Sequence, residues 1–186
     1  TPDQIRAISQ LGAVTEVDLV GTTRRTVEPS LRESPDLIAP VDPASLANQA
    51  PGELHYGASR LPLEQINVPL LHEQGLSGAG VVVALFDTGF ELTHDCLQNV
   101  DVIASYDFVG DDDDVGQEEG DPDNSSDHGT EMLGSIAGYS PGNLIGSAYG
   151  ASFILARTED IGGETRVEED NWIAALEWAE SLGADV

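Results

Sequence analysis

Two short stretches carry residue types that can orient and move a proton. The first is Val81-Val82-Val83-Ala84-Leu85-Phe86-Asp87-Thr88-Gly89, an apolar run that ends abruptly in a carboxylate. The second is Asp127-His128-Gly129-Thr130, with an imidazole at the opening of an amphipathic stretch. Singly, neither demands chemistry: an Asp after a strand commonly serves a turn or a helix cap, and a lone His is commonly a satisfied surface or core group. Together, a carboxylate ending a buried strand and an imidazole opening a helix single out Asp87 and His128 as the catalytic candidates.

The elements that would hold this pair follow from pattern. Residues 81–86 are mostly β-branched or bulky, as a strand buried on both faces of a parallel sheet requires. Asp87 then emerges at the carboxyl end, where open α/β sheets bind ligands, and Gly89 lets the chain turn without a Cβ clash. Residues 100–105 read as a second strand, extended by 106–109. Residues 128–138 read as a helix with Met132, Leu133, Ile136 and Ala137 facing in and Asp127 or Ser126 as N-cap. Residues 152–157 give a third buried strand, and residues 168–182 a helix burying Trp172, Ala175, Leu176, Ala179 and Leu182. Ala184-Asp185-Val186 begins a fourth strand. Upstream, residues 63–74 form one short helix with Ile66, Leu70 and Leu71 as its apolar face. The order predicts an α/β fold, a doubly wound, mostly parallel sheet that is incomplete at its C-terminus.

Composition removes several classes. Among 186 residues, 34 acidic against 7 basic side chains give a net charge of -27, a field that repels nucleic acid and anionic lipid. No apolar run approaches the length that spans a bilayer, so neither nucleic-acid binding nor membrane insertion is expected. The single cysteine, Cys96, has no internal disulfide partner and no basic flank to activate it; a buried small hydrophobe is the expected role. The acidic stretch 111–124 does not fit an EF-hand loop, because with Gly116 at the sixth position Val115 stands where Asp or Asn belongs. It is either a solvated loop or a hard-cation site. Gly138-Tyr139-Ser140-Pro141-Gly142 spells a nucleophile elbow, which would make Ser140 the nucleophile of an esterase. A helix precedes it and Pro141 follows it, against the strand-then-helix context that elbow needs.

The Asp-Thr-Gly and His-Gly-Thr stretches together resemble the catalytic Asp and His motifs of the subtilisin-like serine proteases. The resemblance covers residues 56–186, where Gly80 matches the usual lead-in to the strand. Gly146-Ser147-Ala148-Tyr149-Gly150-Ala151 matches a Gly-x-Ala-Pro-Gly-Ala turn, with Tyr149 in place of Pro. Arg157-Thr158-Glu159-Asp160 and the region around Trp172 and Trp178 are similar to a branch of exported members. Residues 1–26 resemble the end of an inhibitory propeptide, and residues 27–55 read as a Pro-, Ser- and Ala-rich linker or maturation region.

The resemblance implies a secreted serine endopeptidase in which His128 takes a proton from a serine while Asp87 holds the imidazole in the right tautomer. That serine and an oxyanion-stabilising asparagine would lie beyond Val186, so this piece by itself would be inactive. It implies extended polypeptides and the protein's own propeptide as partners, with Gly162, Gly163, Glu164 and Thr165 bordering the substrate groove. No cofactor is required for the chemistry. Structural calcium has room in the family, although Cys96 stands where a calcium-ligating Asp is common, so the metal ligands stay unassigned. A non-catalytic acidic cation-binding or adhesion module is the alternative, and it predicts no hydrogen bond between Asp87 and His128.

Overall fold

The computed structural model describes residues 54–163 and 165–186, so the expected propeptide end (1–26) and nearly all of the expected linker (27–55) lie outside the described residues. In chain order the elements are α1 (Arg60–Gln65), α2 (Val68–His72), β1 (Val82–Asp87), β2 (Asp101–Asp107), α3 (Asp127–Ala137), β3 (Tyr139–Ser140), β4 (Leu144–Ile145), β5 (Ser152–Arg157) and α4 (Arg166–Leu182). β1, β5 and β2 pair in that order, all parallel, and β3 and β4 form a small antiparallel hairpin.

The register brings three charged residues abreast at the carboxyl ends, with Asp87 and Asp107 flanking Arg157. β5 is the strand buried on both faces: Phe153, Ile154, Leu155 and Ala156 are wholly buried, as the pattern of 152–157 predicted. β1, predicted to be buried to the same degree, is only half-buried along residues 82–86. β1 has β5 on one side and the start of a further strand on the other. There Val186 N–H donates to Val82 O and Ala84 N–H donates to Val186 O at 2.8 Å, a parallel bridging pattern.

Strand alternation assigns the two long helices to opposite faces. Val83 and Leu85 of β1 join Phe153, Leu155, Leu133 and Ala137 in the main core, which also takes in Phe90, Leu97, Cys96 and Val115. The intervening Phe86 instead meets the Trp172 ring of α4 edge-on, with centroids 6.2 Å apart. α3 therefore covers one face and α4 the other.

Two further sequence expectations change. Residues 63–74 are not one helix: Asn67 adopts a left-handed conformation and caps a second helix that carries Pro69 in its first turn. The break turns Ile66, Leu70 and Leu71 outward and buries Leu63, Val68 and His72 instead. His72 is held from both sides, by Tyr56 Oη at 2.8 Å from Nδ1 and by Ser147 O at 3.0 Å from Nε2. In α4, Ala175 and Ala179 are buried as expected, whereas Trp172, Leu176 and Leu182 are about half exposed. The two alanines form a low ridge that lets the helix approach the sheet closely, which leaves the bulky residues on its flanks.

Leu133 sits at the centre of the main core with no exposed surface. Its replacement by Ala should cost about 2–5 kcal/mol, the transfer term plus the cavity left behind. Chemical denaturation of wild type and Leu133→Ala checks it, with a drop in midpoint at unchanged slope as the expected outcome.

Candidate active site

The site is built where β1 ends and α3 begins, and every residue of the two short motifs has a task there. Asp87 is buried; its Oδ1 accepts from its neighbour's backbone, Thr88 N–H, at 2.7 Å and lies 2.8 Å from His128 Nδ1. A carboxylate oxygen can only accept, so Nδ1 carries the proton it donates. Nε2, across the ring, is then the nitrogen left to take a proton from a third group. The His128 side chain is 58% exposed against 8% for Asp87, a buried orienting group beneath an accessible imidazole.

The other motif residues dock the helix on the strand end. Thr88 Oγ1 accepts Gly129 N–H at 3.4 Å, serving an early N–H of α3 that the Ser126 side chain does not cap. Thr130 Oγ1 donates to Ser126 O at 2.6 Å and accepts Glu91 N–H at 2.8 Å, tying the chain after β1 to the helix. Gly89 turns with φ 131, a conformation closed to most side chains, and Phe90 N–H then donates to Val115 O at 2.7 Å. Gly129 is required by space: a Cβ there would lie 2.2 Å from Gly89 O and 3.1 Å from Asp87 Cβ.

Beneath the pair runs a second polar layer that sequence reasoning missed. Arg157 Nη1 donates to Asp107 Oδ2 at 3.1 Å and to Asp121 Oδ2 at 2.9 Å, with Arg157 and Asp107 both buried. Burial works against the Arg157 charge, but the hydrogen bond to Asp121 and the charges of Asp107, Asp121 and Asp160 outweigh it and raise its pKa. The Arg157 hydrogen bond in turn holds the Asp121 carboxyl below its ordinary range. Thr158, next along, donates its N–H to Asp87 O at 2.9 Å. A lone basic residue ending a buried strand in so acidic a chain was the available signal.

The acidic stretch is mostly self-folded. Asp107 Oδ1 accepts Val109 and Gly110 N–H, Asp112 Oδ1 accepts Asp114 N–H, and Asp114 Oδ1 accepts Gly116 N–H. Asp107, Asp112 and Glu118 each place one oxygen within 4.8 Å of the others. The charge of Asp112, foremost among its acidic neighbours, pushes the Glu118 carboxyl up. Calcium takes six to eight oxygens, whereas Asp107 is already engaged by Arg157 and two backbone N–H groups, so these three do not make a calcium site by themselves.

An open cavity of about 620 Å³ adjoins Asp87 at Thr88, between the segment after β5 and the first turns of α4. Of the expected groove residues, Thr165 lines it. Gly162 and Gly163 do not; they form a turn in which Asp160 Oδ1 accepts Gly162 N–H at 2.8 Å. Glu164 lies outside the described residues. Ser140 stands on the hairpin after α3, its hydroxyl accepting from Asn143 Nδ2 at 3.1 Å, so the strand-Ser-helix elbow of an esterase is not formed. Cys96 is buried and free, and burial pushes its thiol pKa up, as a small core residue should behave.

Against known proteins, residues 78–186 match the model of the Subtilase family. The chain belongs to the subtilase family. Subtilisin E of Bacillus subtilis is 32% identical to this subtilase over 158 residues, covering 84% of the chain and 37% of that protein. Minor extracellular protease Vpr of the same organism is 38% identical over 115 residues, covering 60% of the chain and 14% of that protein. The chain thus spans well under half the length of these curated relatives. The solved MycP3 protease of the type VII (ESX-3) secretion system superposes with a TM-score of 0.50 at 25% identity, over 74% of this chain and 36% of that one. The partly assembled parallel sheet is thus of the subtilisin-like α/β kind. Subtilases need no cofactor for catalysis. No helix among the described residues is long and apolar enough to cross a membrane.

Gly129→Ala tests the packing on which the site depends. The added methyl has no space against Gly89 O, so the helix start must lift, at an expected cost of about 1–3 kcal/mol. Thermal unfolding reports the cost, and the ¹⁵N shifts of His128 report loss of its Asp87 partner; an unchanged melt with unchanged shifts contradicts the assignment.

Proposed function

We propose that the protein is a serine endopeptidase of the subtilisin type, with Asp87 and His128 as two members of its catalytic triad. The observation that carries this is the 2.8 Å contact between His128 Nδ1 and Asp87 Oδ1, with the imidazole exposed above a buried carboxylate. In this reading Asp87 fixes the tautomer and stabilises the imidazolium, and His128 accepts through Nε2 the proton of a serine supplied by chain beyond residue 186. Residues 56–186 are then the N-terminal part of the catalytic domain, and residues 1–26 the end of a propeptide that binds it. The alignment with subtilisin E covers 84% of the chain, more than residues 56–186 could supply, so it reaches into the residues before 56.

Extended polypeptides are the proposed substrates, lying along the segment that includes Gly162, Gly163, Glu164 and Thr165, whose glycines permit close backbone approach. Export is proposed from the resemblance and from the extracellular relative. Any calcium would be structural and would need donors besides Asp107, Asp112 and Glu118.

In the full-length protein, Asp87→Ala and His128→Ala should each lower kcat on an unstructured casein-like substrate by about 10⁴-fold or more. Residues 1–186 purified alone should show no peptidase activity, since without the serine no acyl-enzyme forms. Wild-type rates in either variant, or hydrolysis by the piece alone, overturn the triad. Gly163→Val in the full-length enzyme should raise KM for peptides with kcat little changed, and unaltered kinetics would remove this segment from the groove.

A further inference from the structure

The cavity beside Asp87 has a lining of one dominant charge. Glu159 and Asp160 face it from the segment after β5, and Glu168 and Glu169 face it from the first turn of α4, against one cation among the described lining residues, Arg166. Trp172 and Ile173, both about half exposed, supply an apolar patch one helical turn further along the same face of α4. Thr158 also lines the cavity; it is wholly buried, and its hydroxyl has no hydrogen-bond partner among the described residues.

We infer that this cavity selects a lysine or arginine side chain at one substrate residue flanking the scissile bond. The inference rests on the peptidase reading of the site and names its substrate class. A long basic side chain matches the apolar and acidic parts of the lining: its methylene stem covers Trp172 and Ile173 while its head meets the carboxylates. The Thr158 hydroxyl at the cavity wall is left with an unspent acceptor. Carboxylates gathered at a cleft with apolar walls focus their field there, so an acidic side chain at the same position is repelled. The net charge of -27 adds a long-range pull on cationic substrates, which makes the local contribution the quantity to isolate.

The test uses the full-length enzyme and otherwise identical chromogenic peptides in which lysine, norleucine or glutamate occupies each position in turn. Norleucine keeps the stem and removes the charge. Lysine at one position should raise kcat/KM over norleucine by about tenfold at low salt, the effect of several partly exposed ion pairs acting together. The preference should shrink at high salt. The double variant Glu168→Gln, Glu169→Gln should lose most of it. Glu180→Gln should keep it, because Glu180 lies 11 residues, or about 16 Å, farther along α4 from Glu169.

Equal rates for lysine and norleucine at every position, in an enzyme that cleaves both, overturn the inference and leave the peptidase reading standing. A lysine preference that survives the double variant assigns it to the overall field and overturns the role of the cavity. If no peptide is cleaved, the peptidase reading fails, and calorimetric titration with the lysine and norleucine peptides then decides the cavity: tighter lysine binding sustains it, and equal binding overturns it.

Discussion

Almost nothing separates the first turn of α3 from the turn that ends β1. The space a methyl group would need at Gly129 is filled by Gly89 O and the Asp87 side chain, so helix and strand meet backbone to backbone. That contact sets the reach from His128 to Asp87, and hydrogen bonds from Thr88 and Thr130 lock it in orientation. An imidazole on a helix and a carboxylate on a strand have no local reason to meet. A hydrogen bond of 2.8 Å between them needs two rigid elements pressed together with no slack.

The contact in turn needs a firm base, and the parallel register supplies it. Asp87, Arg157 and Asp107 stand abreast at the ends of β1, β5 and β2, and Arg157 extends the row to Asp121 in the acidic loop. Burying Arg157 and Asp107 costs desolvation that their attraction does not clearly repay, so such a pair is weak evidence for stability. Its effect is geometric. With both oxygens of Asp107 and Nη1 of Arg157 engaged, the acidic loop has one way to lie against the strand ends, and Val115 inserts into the main core and receives Phe90 N–H. The turn after Asp87 is thereby held from below as α3 holds it from above.

The acidity of the chain takes more than one form. Asp107, Asp112 and Asp114 spend oxygens on nearby backbone N–H groups and shape a loop. Glu159, Asp160, Glu168 and Glu169 surround an open cavity next to Asp87. Composition counts all of these alike, although the first set shapes a loop and the second lines the cavity, where Asp160 also accepts a backbone N–H from Gly162.

Much of this was legible in the residues themselves. A β-branched run ending in Asp-Thr-Gly, and His-Gly-Thr opening an amphipathic stretch, are local patterns with local causes, and they located β1, α3 and the Asp87 and His128 pair. The other long elements followed from period, and Cys96 from its neighbourhood. Tertiary structure alone decided which strand lies buried on both faces, because a run of apolar residues reports burial without naming its neighbours, and β5 rather than β1 sits between two long strands. It also decided which part of a wide apolar arc is covered. In α4 the sequence offers Trp172, Ala175, Leu176, Ala179 and Leu182 together, and close approach to the sheet selects the two alanines. The role of Arg157 was out of reach for the same reason. Its partners Asp107 and Asp121 lie 50 and 36 residues away, and only the alignment of three strand ends brings those charges together.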